Sequence, residues 1–205
     1  MSTPVIGIVG GVGAGKSSVV KRVRNFRLLI IDADQIGHQQ LAVESVRNAL
    51  VGSFGNSILN QEGQINRAAL AAFVFGKDPT PLKKRDQLNS IVHPRIRAEI
   101  RRQIEAIPQD VDAIVLDAAL LLESGLATEC DAIVFMDTPI EHRQQRVLEN
   151  RNWSPEELRR REESQWTIEK KREFAQYTVN NSGTVEDAAK EMSEIFREVI
   201  EAKKQ

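Results

Sequence analysis

Gly10-Gly11-Val12-Gly13-Ala14-Gly15-Lys16-Ser17 is the stretch that decides the fold. It matches the pattern G-x-x-x-x-G-K-[ST] of a phosphate-binding loop, which needs a strand before it and a helix after it. The apolar run 4–9 supplies the strand, and residues 17–27 have the mixed polar and apolar character of a helix. The sequence therefore predicts a phosphate-binding loop between the first strand and the first helix.

The residue types of this loop suit the phosphates of a nucleotide. Backbone N–H groups converge on phosphate oxygens only where the chain bends tightly, and repeated glycines permit such conformations. The helix N-terminus behind the loop adds unpaired N–H groups and the positive end of the helix dipole. Lys16 would reach the β- and γ-phosphates, and the Ser17 hydroxyl would ligate Mg²⁺. The alternative is a glycine-rich turn that binds nothing.

Composition excludes several classes of partner. A length of 205 residues suits one α/β domain with insertions, and the net charge of −1 gives no basic field for DNA or RNA. The single cysteine, Cys130, cannot form an intrachain disulfide, which fits a reducing compartment. The first residues lack the basic region of a signal peptide, and no uncharged apolar run approaches the ~18 residues of a membrane span. We expect a cytoplasmic monomer with no nucleic-acid partner and no membrane contact.

Three more apolar runs resemble the first strand, at 28–31, 113–116 and 132–136, and Tyr177-Thr178-Val179 is a fifth candidate strand. Continuous apolar runs separated by helical patterns are typical of a parallel sheet buried on both faces. Three of the five candidate strands are followed by a carboxylate, namely Asp32, Asp117 and Asp137. Ligands of open α/β sheets bind beyond the carboxyl ends of the strands. The predicted fold is an α/β three-layer domain of the P-loop NTPase type with a five-stranded parallel sheet.

Two insertions interrupt this core. Thr138-Pro139-Ile140-Glu141 and Ser154-Pro155-Glu156-Glu157 each combine a capping hydroxyl, a proline and a glutamate, and they predict helices over 139–150 and 155–173. The interval 35–110 is too long for a simple crossover and predicts a subdomain with helices over 35–51, 66–76 and 80–106 and a turn at 60–63. A last helix from Thr184 has one apolar stripe: Ala188, Met192, Ile195, Phe196 and Val199.

The acids at the strand ends are candidates for chemistry. Phosphoryl transfer to a hydroxyl needs a group that orients or deprotonates it, and Asp34, just past the second strand, is the first candidate. The alternative for Asp32 and Asp34 is N-capping of the next helix. Asp117 is a Walker-B-like acid that could hold Mg²⁺ through water, and its alternative is a loop cap.

The arginines after the fourth strand suggest a lid. Arg143, Arg146 and Arg151 could lie over the triphosphate and neutralise charge in the transition state. Against this, residues 141–173 contain nearly as many acids as bases. We therefore expect most of these arginines to be exposed helix residues that form i,i+4 pairs, and the expectation includes Arg159, Arg160 and Arg161.

The motifs, in this order and spacing, resemble the dephospho-CoA kinase family. They are the loop, 31–34, Phe54-Gly55, 66–70, 88–94, 117–123, 143–146 and 179–183. The resemblance implies ATP-dependent phosphorylation of the 3′-hydroxyl of dephospho-CoA, the last step of CoA biosynthesis. It also implies a single domain 1–205 with a nucleotide-binding core (1–34, 111–138 and 174–205), a CoA-binding insertion (35–110) and a lid (139–173).

Residue roles follow from the same resemblance. It implies Asp34 as the base, with Lys16 and Arg146 as the other catalytic residues, and Ser17 and Asp117 at Mg²⁺. Nucleotide contacts would come from Gly11, Val12, Gly13, Ala14, Gly15, Lys16, Ser17, Ser18 and Asn181, the last near the adenine. Contacts to dephospho-CoA would come from Asp32, Asp34, Arg67, His93 and Glu123.

The chain departs from the family pattern in the segment after the third strand and in the lid. Ala119 and Leu122 stand where the family commonly has proline and phenylalanine, and Asn150 replaces a second lid arginine. Arg151 is one position further on, which is a rotation of about 100° on a helix. Two alternatives to this function are another small-molecule or nucleotide kinase and a nucleotide-dependent switch whose 35–110 subdomain binds a protein.

Overall fold

The computed structural model describes residues 2–75 and 81–205. By contacts along the chain these residues form two compact units, Met1–Asp32 with Ala106–Gln205, and Ala33–Glu105. The second unit begins and ends within five residues of the predicted insertion 35–110.

The first unit contains a five-stranded sheet. Its strands are β1 (Val5–Gly10), β2 (Leu28–Asp32), β3 (Ala113–Asp117), β4 (Ala132–Asp137) and β5 (Tyr177–Asn180), in the order β2-β3-β1-β4-β5. All neighbouring strands pair in parallel. The predicted strands and the parallel sheet are confirmed: β1, β3 and β4 are runs of buried apolar residues, which are a local signal. The expected burial on both faces is wrong for β2, an edge strand in which only Ile31 is buried, and β5 at the other edge buries only Val179.

Helices cover both faces of this sheet. The helices of the unit are α1 (Lys16–Val20), α6 (Ile140–Arg151), α7 (Pro155–Glu162), α8 (Ile168–Phe174) and α9 (Val185–Lys203). On one face α1 and the predicted apolar stripe of α9 pack on Ile8, Val134 and Met136. Side chains alternate along a strand, so Phe135 points to the other face, where Arg172 of α8 lies over its ring. The predicted three-layer class is therefore confirmed.

The second unit is helical and has its own core. It contains α2 (Ala33–Gln40), α3 (Glu44–Phe54), α4 (Arg67–Phe75) and α5 (Pro81–Glu105). Val46, Leu50 and Phe54 of α3 pack with apolar residues of α4 and α5. The predicted turn at 60–63 is present, with Gly63 at a φ of 72°. The predicted helix ends at 76 and 80 lie outside the described residues.

Three predicted helices are wrong in extent. The helix over 17–27 ends after Val20, where the chain tightens into i→i+3 turns and then reaches Asn25 at a φ of 69°. The helix over 35–51 is two helices, because the chain tightens again after Gln40 and Val43 is extended. The helix over 155–173 is interrupted after Glu162, and a second cap starts α8: Thr167 accepts a hydrogen bond from the Lys170 N–H.

Candidate functional site

The loop that follows β1 has the backbone conformation that its glycines predict. Gly13 and Gly15 have φ values of 78° and 81°, in the left-handed region that glycine adopts without strain. The Ala14 N–H donates to the Gly11 carbonyl at 3.1 Å, which closes the bend, and Gly15 is the N-cap of α1. The loop therefore leads directly into a helix N-terminus.

The carbonyl of Ala14 is the most heavily hydrogen-bonded atom of the loop. It accepts from the Asn181 amide at 2.7 Å, from the Thr138 hydroxyl at 3.0 Å and from Arg146 Nη1 at 3.2 Å. The C=O and N–H of one trans peptide point in opposite directions, so this contact turns the Gly15 N–H away from these three donors. The three side chains thus fix the orientation of one peptide of the phosphate loop.

The predicted capping role of Thr138 is wrong. The residue before α6 is Pro139, which has no side-chain cap, and the Thr138 hydroxyl is committed to Ala14. Ser154 does cap α7, as predicted, because its oxygen accepts from the Glu157 N–H. Similar local patterns differ here because only Thr138 is buried against the loop.

Asn181 is fully buried, and this determines what its side chain can do. Its Nδ2 donates to Ala14, and among the described residues its Oδ1 has no hydrogen-bond partner. A contact between Asn181 and the adenine stays a prediction. The structure instead shows that Asn181 supports the loop.

A cavity of about 220 Å³ lies at the carboxyl ends of β1, β2 and β3. Its lining includes Lys16, Ser17, Asp32 and Asp117, and Asp32 is the register partner of Asp117 across β2 and β3. The Ser17 hydroxyl donates to Asp117 Oδ2 at 3.1 Å. The structure therefore brings the predicted lysine, the predicted metal ligands and Asp32 to one cavity.

Three of the five predicted contacts to dephospho-CoA, namely Asp34, Arg67 and His93, lie in the second unit, whereas Asp32 and Glu123 lie in the first. Asp34 is in the first turn of α2, and Arg67 at the start of α4 donates to Nε2 of His38 at 2.7 Å. His93 is partly buried in α5, and burial with the charges of Arg97 and Arg85 lowers its pKa. A neutral His93 is the form that can both donate and accept a hydrogen bond at neutral pH. The roles of Asp34, Arg67 and His93 stay predictions.

Glu123 occupies an internal position. Its side chain is 9% exposed, and its Oε1 accepts from the Trp166 N–H at 2.6 Å and lies 3.6 Å from Lys171 Nζ. Lys171 is itself buried, donates to Gln165 at 2.5 Å and lies 3.5 Å from the Gly10 carbonyl. Burial lowers the pKa of Lys171, and the Glu123 carboxylate opposes that shift. A direct contact between Glu123 and a substrate stays a prediction.

The arginines of the predicted lid have three different environments. Arg146 reaches the loop through Ala14, whereas Arg143 is buried against the loop and pairs with Glu162, so it is not an exposed lid arginine. The exposed Arg151 stacks on the Trp153 ring at 4.7 Å. Arg159, Arg160 and Arg161 are exposed, as expected: Arg161 pairs with Glu157 and Arg159 with Glu163 at the expected i,i+4 spacing, whereas Arg160 pairs with Glu157 at i,i+3.

Sequence reasoning missed several polar residues that surround the loop. They are Thr138 in its actual role, Glu162, Gln165 and Lys171. Thr138 lies in a capping pattern, and Glu162 and Lys171 lie in charged runs that are normally solvated, so no local signal marks their contacts with the loop. In the folded structure Thr138, Glu162 and Lys171 are identified by their hydrogen bonds to the loop backbone. Gln165 is identified by its hydrogen bond from Lys171.

Comparisons with known proteins agree with this geometry. The family model described as dephospho-CoA kinase (CoaE) matches residues 4–187. The chain belongs to the dephospho-CoA kinase family. It is 38% identical to the dephospho-CoA kinase of Corynebacterium diphtheriae, over 96% of this chain and 99% of that protein. It is 36% identical to that of Thermobifida fusca, over 95% of each.

A solved structure shows the same fold. TT1252 from Thermus thermophilus matches 97% of this chain and 98% of that chain with a TM-score of 0.80 and 28% identity. Membership in the dephospho-CoA kinase family confirms the predicted resemblance and the predicted enzyme class, an ATP-using kinase of CoA biosynthesis. Within the described ranges, no helix is long and apolar enough to cross a membrane.

Proposed function

We propose that the chain transfers the γ-phosphoryl group of ATP to the 3′-hydroxyl of dephospho-CoA and releases CoA and ADP. The observation that carries the proposal is the cavity at the strand ends, where Lys16, Ser17, Asp32 and Asp117 meet in a chain of this family. Phosphoryl transfer requires positioning and neutralisation of charge more than covalent chemistry, and this lining supplies cation, hydroxyl and carboxylates.

The nucleotide side of the reaction is assigned to the loop and α6. The N–H groups at the start of α1, the Gly15 N–H and the Lys16 ammonium would bind the β- and γ-phosphates. Arg146 is proposed as the catalytic lid arginine. It would exchange its contact with the Ala14 carbonyl for the transferring phosphoryl group, where it would neutralise charge in the transition state.

Ser17 and Asp117 fit a magnesium site. Mg²⁺ prefers oxygen ligands and is commonly held by one or two carboxylates together with substrate phosphates. The hydroxyl and the carboxylate lie 3.1 Å apart on the same cavity wall. No group of three or more His, Cys, Asp or Glu side chains in the described chain could hold a metal alone. Mg²⁺ bound there would supply charge neutralisation to the phosphates of ATP.

Asp34 is proposed as the group that orients or deprotonates the 3′-hydroxyl, and Arg67, His93, Asp32 and Glu123 as contacts to dephospho-CoA. The family resemblance supports these roles, and the exposed position of Asp34 in the first turn of α2 is consistent with contact to a ligand. A carboxylate is a competent base for an alcohol when it lies within hydrogen-bond reach of it.

We also propose a cytoplasmic location. Cys130 carries a free thiol, which is typical of a reducing compartment. The expected monomer stays a prediction that light scattering on the purified chain would test.

The proposed function is tested by ADP release with Mg·ATP in the presence and absence of dephospho-CoA. We expect release that depends on dephospho-CoA. Asp34→Asn should lower kcat by a factor of about 10² while ATP binding persists, as for loss of a positioned base. Glu44→Gln, an exposed acid in the first turn of α3, is the matched control and should leave kcat unchanged. Hydrolysis of ATP that dephospho-CoA does not stimulate would contradict the proposal.

A further inference from the structure

Arg143 is a buried cation that the roles above do not use. The residue is 6% exposed, its Nε donates to the Thr138 carbonyl at 3.2 Å, and its Nη1 pairs with Glu162 Oε1. A guanidinium keeps its charge at any pH that a protein experiences, so burial requires an anionic partner. Glu162, the last residue of α7, is that partner.

The carboxylate of Glu162 makes a second contact, with the loop itself. Its Oε1 also accepts from the Val12 N–H at 3.0 Å. One oxygen therefore connects the side chain of α6, the end of α7 and the backbone of the phosphate loop. The Val12 N–H is used by this carboxylate, so the contact of Val12 with nucleotide that the resemblance implies would not be made through its amide.

Gly11 fits against the same guanidinium. The three atoms nearest to a Cβ added at Gly11 all belong to Arg143: Nη1 at 2.6 Å, Cζ at 2.9 Å and Cδ at 3.0 Å. Gly11 does not have a left-handed φ, in contrast to Gly13 and Gly15, so its conformation does not require glycine. Arg143 cannot move away cheaply because it is bonded at both Nε and Nη1. The close approach of Arg143 is thus what requires glycine at position 11.

From these contacts we infer that Arg143 and Glu162 are positioning residues for ATP: together they form a brace that keeps the first half of the phosphate loop in its binding conformation. The inference rests on the proposed function, because it assigns ATP to this loop. Without the Glu162 carboxylate, the Val12 N–H loses its acceptor and the Arg143 guanidinium loses its anionic partner. The loop then samples other conformations, and ATP binding has to reorder it, which weakens affinity.

Calorimetric titration of Mg·ATP into the purified full-length chain, with no acceptor present, tests the brace. Glu162→Ala should raise the Kd for ATP about tenfold or more, the worth of one charge-assisted hydrogen bond. Glu162→Gln keeps an acceptor for Val12 and should raise it by less, about threefold. Glu163→Gln is the matched control, since Glu163 is exposed and pairs only weakly with Arg159, and it should change the Kd by less than about twofold.

A second set of variants tests the contact with Gly11. Gly11→Ala should raise the Kd for ATP about tenfold in the wild-type background. In the Arg143→Ala background, which lacks all three of the Arg143 atoms nearest to a Cβ at Gly11, the same substitution should raise the Kd for ATP by less than about threefold. If Gly11→Ala raises the Kd for ATP by the same factor in both backgrounds, Arg143 is not what requires glycine at position 11.

A merely structural pair would lower the melting temperature of the variants and leave the Kd of the folded fraction unchanged. A folded Glu162→Ala variant that binds ATP within about twofold of wild type would therefore overturn the inference. If Glu162→Ala does not fold, the comparison of Glu162→Gln with Glu163→Gln decides in the same way. Failure of the proposed function would show differently, as wild-type ATP binding without turnover of dephospho-CoA.

Discussion

Replacing Lys171 by methionine removes a buried ammonium and conserves most of the volume of the side chain. The ammonium lies 3.6 Å from Glu123 Oε1 and 2.5 Å from Gln165 Oε1, and the two charged side chains are 4% and 9% exposed. Breaking a buried ion pair from one side leaves the other charge without compensation and costs about 3–5 kcal/mol. We expect Lys171→Met to lower the free energy of unfolding by about 3 kcal/mol, at the lower end of this range.

The double variant Lys171→Met with Glu123→Gln separates the ion pair from the packing. Both charges are then absent. Replacing a buried ion pair by uncharged groups often changes stability little, so the loss of free energy of unfolding should fall to about 1 kcal/mol. Unfolding in urea gives both free energies, and a thermal melt should show shifts of about 6–12 °C for the single variant and 2–4 °C for the double. Lys170→Met is the control, because Lys170 is exposed and lies over the Trp166 ring. The ion-pair explanation is wrong if Lys171→Met lowers the free energy of unfolding by less than about 1 kcal/mol. It is also wrong if the double variant loses as much as Lys171→Met and Glu123→Gln lose separately when added together.

Three further results are expected. Thr138→Val deletes one of three donors to the Ala14 carbonyl and should lower the free energy of unfolding in urea by about 1 kcal/mol, whereas a loss above about 3 kcal/mol would mean that the other two donors cannot compensate. Ser17→Ala should raise the Mg²⁺ concentration for half-maximal ADP release and leave the KM for dephospho-CoA unchanged; an unchanged Mg²⁺ dependence would exclude the hydroxyl as a ligand. Burial and the charges of Asp131 and Glu129 raise the pKa of Cys130 to about 12 in the folded chain, so the unfolded chain releases this proton first. Stability should fall as pH rises above about 9, by up to ~1.4 kcal/mol per unit, and a slope that Cys130→Ala does not reduce would contradict this.

The sheet was predictable because its signals are local. Each strand is a short apolar run, and the carboxylate that ends β2, β3 and β4 marks the edge of the sheet where the ligand is expected. The apolar stripe of α9 repeats at helical spacing, and the Thr184 cap needs only the residues that follow it. The loop motif and the acids at the strand ends predicted that Lys16, Ser17 and Asp117 lie at the same edge of the sheet, whereas the strand order that brings β3 beside β1 is seen only in the structure.

The support of the loop was not predictable, because it depends on contacts that are distant in sequence. Thr138 and Ala14 are 124 residues apart, and Val12 and Glu162 are 150 apart. Nothing in the local pattern distinguishes the Thr138 hydroxyl from the capping hydroxyl of Ser154. Arg143 and Lys171 lie in a segment with nearly as many acids as bases, which predicts mostly exposed side chains, yet both are buried beside a carboxylate, and burial of that kind is decided by tertiary packing.

The predicted extents of the helices over 35–51 and 155–173 are wrong for a related reason. The charged and apolar periodicity continues through 35–51 and through 155–173, so it predicts continuous helices. The breaks occur at positions with weak local signals: Val43 is extended, and Thr167 caps α8 within the uncharged stretch 164–168. Between α7 and α8 the Trp166 N–H donates a hydrogen bond to Glu123. In a continuous helix this N–H would instead bond the carbonyl four residues earlier.

The decisive experiment identifies the product formed from Mg·ATP and dephospho-CoA. We expect a product that is heavier than dephospho-CoA by one phosphoryl group and resists periodate, because phosphorylation of the 3′-hydroxyl removes the free cis-diol of the ribose. A product with this added mass that periodate still cleaves would show that the phosphoryl group is on another atom. Release of ADP with dephospho-CoA left unchanged would contradict phosphoryl transfer to dephospho-CoA altogether.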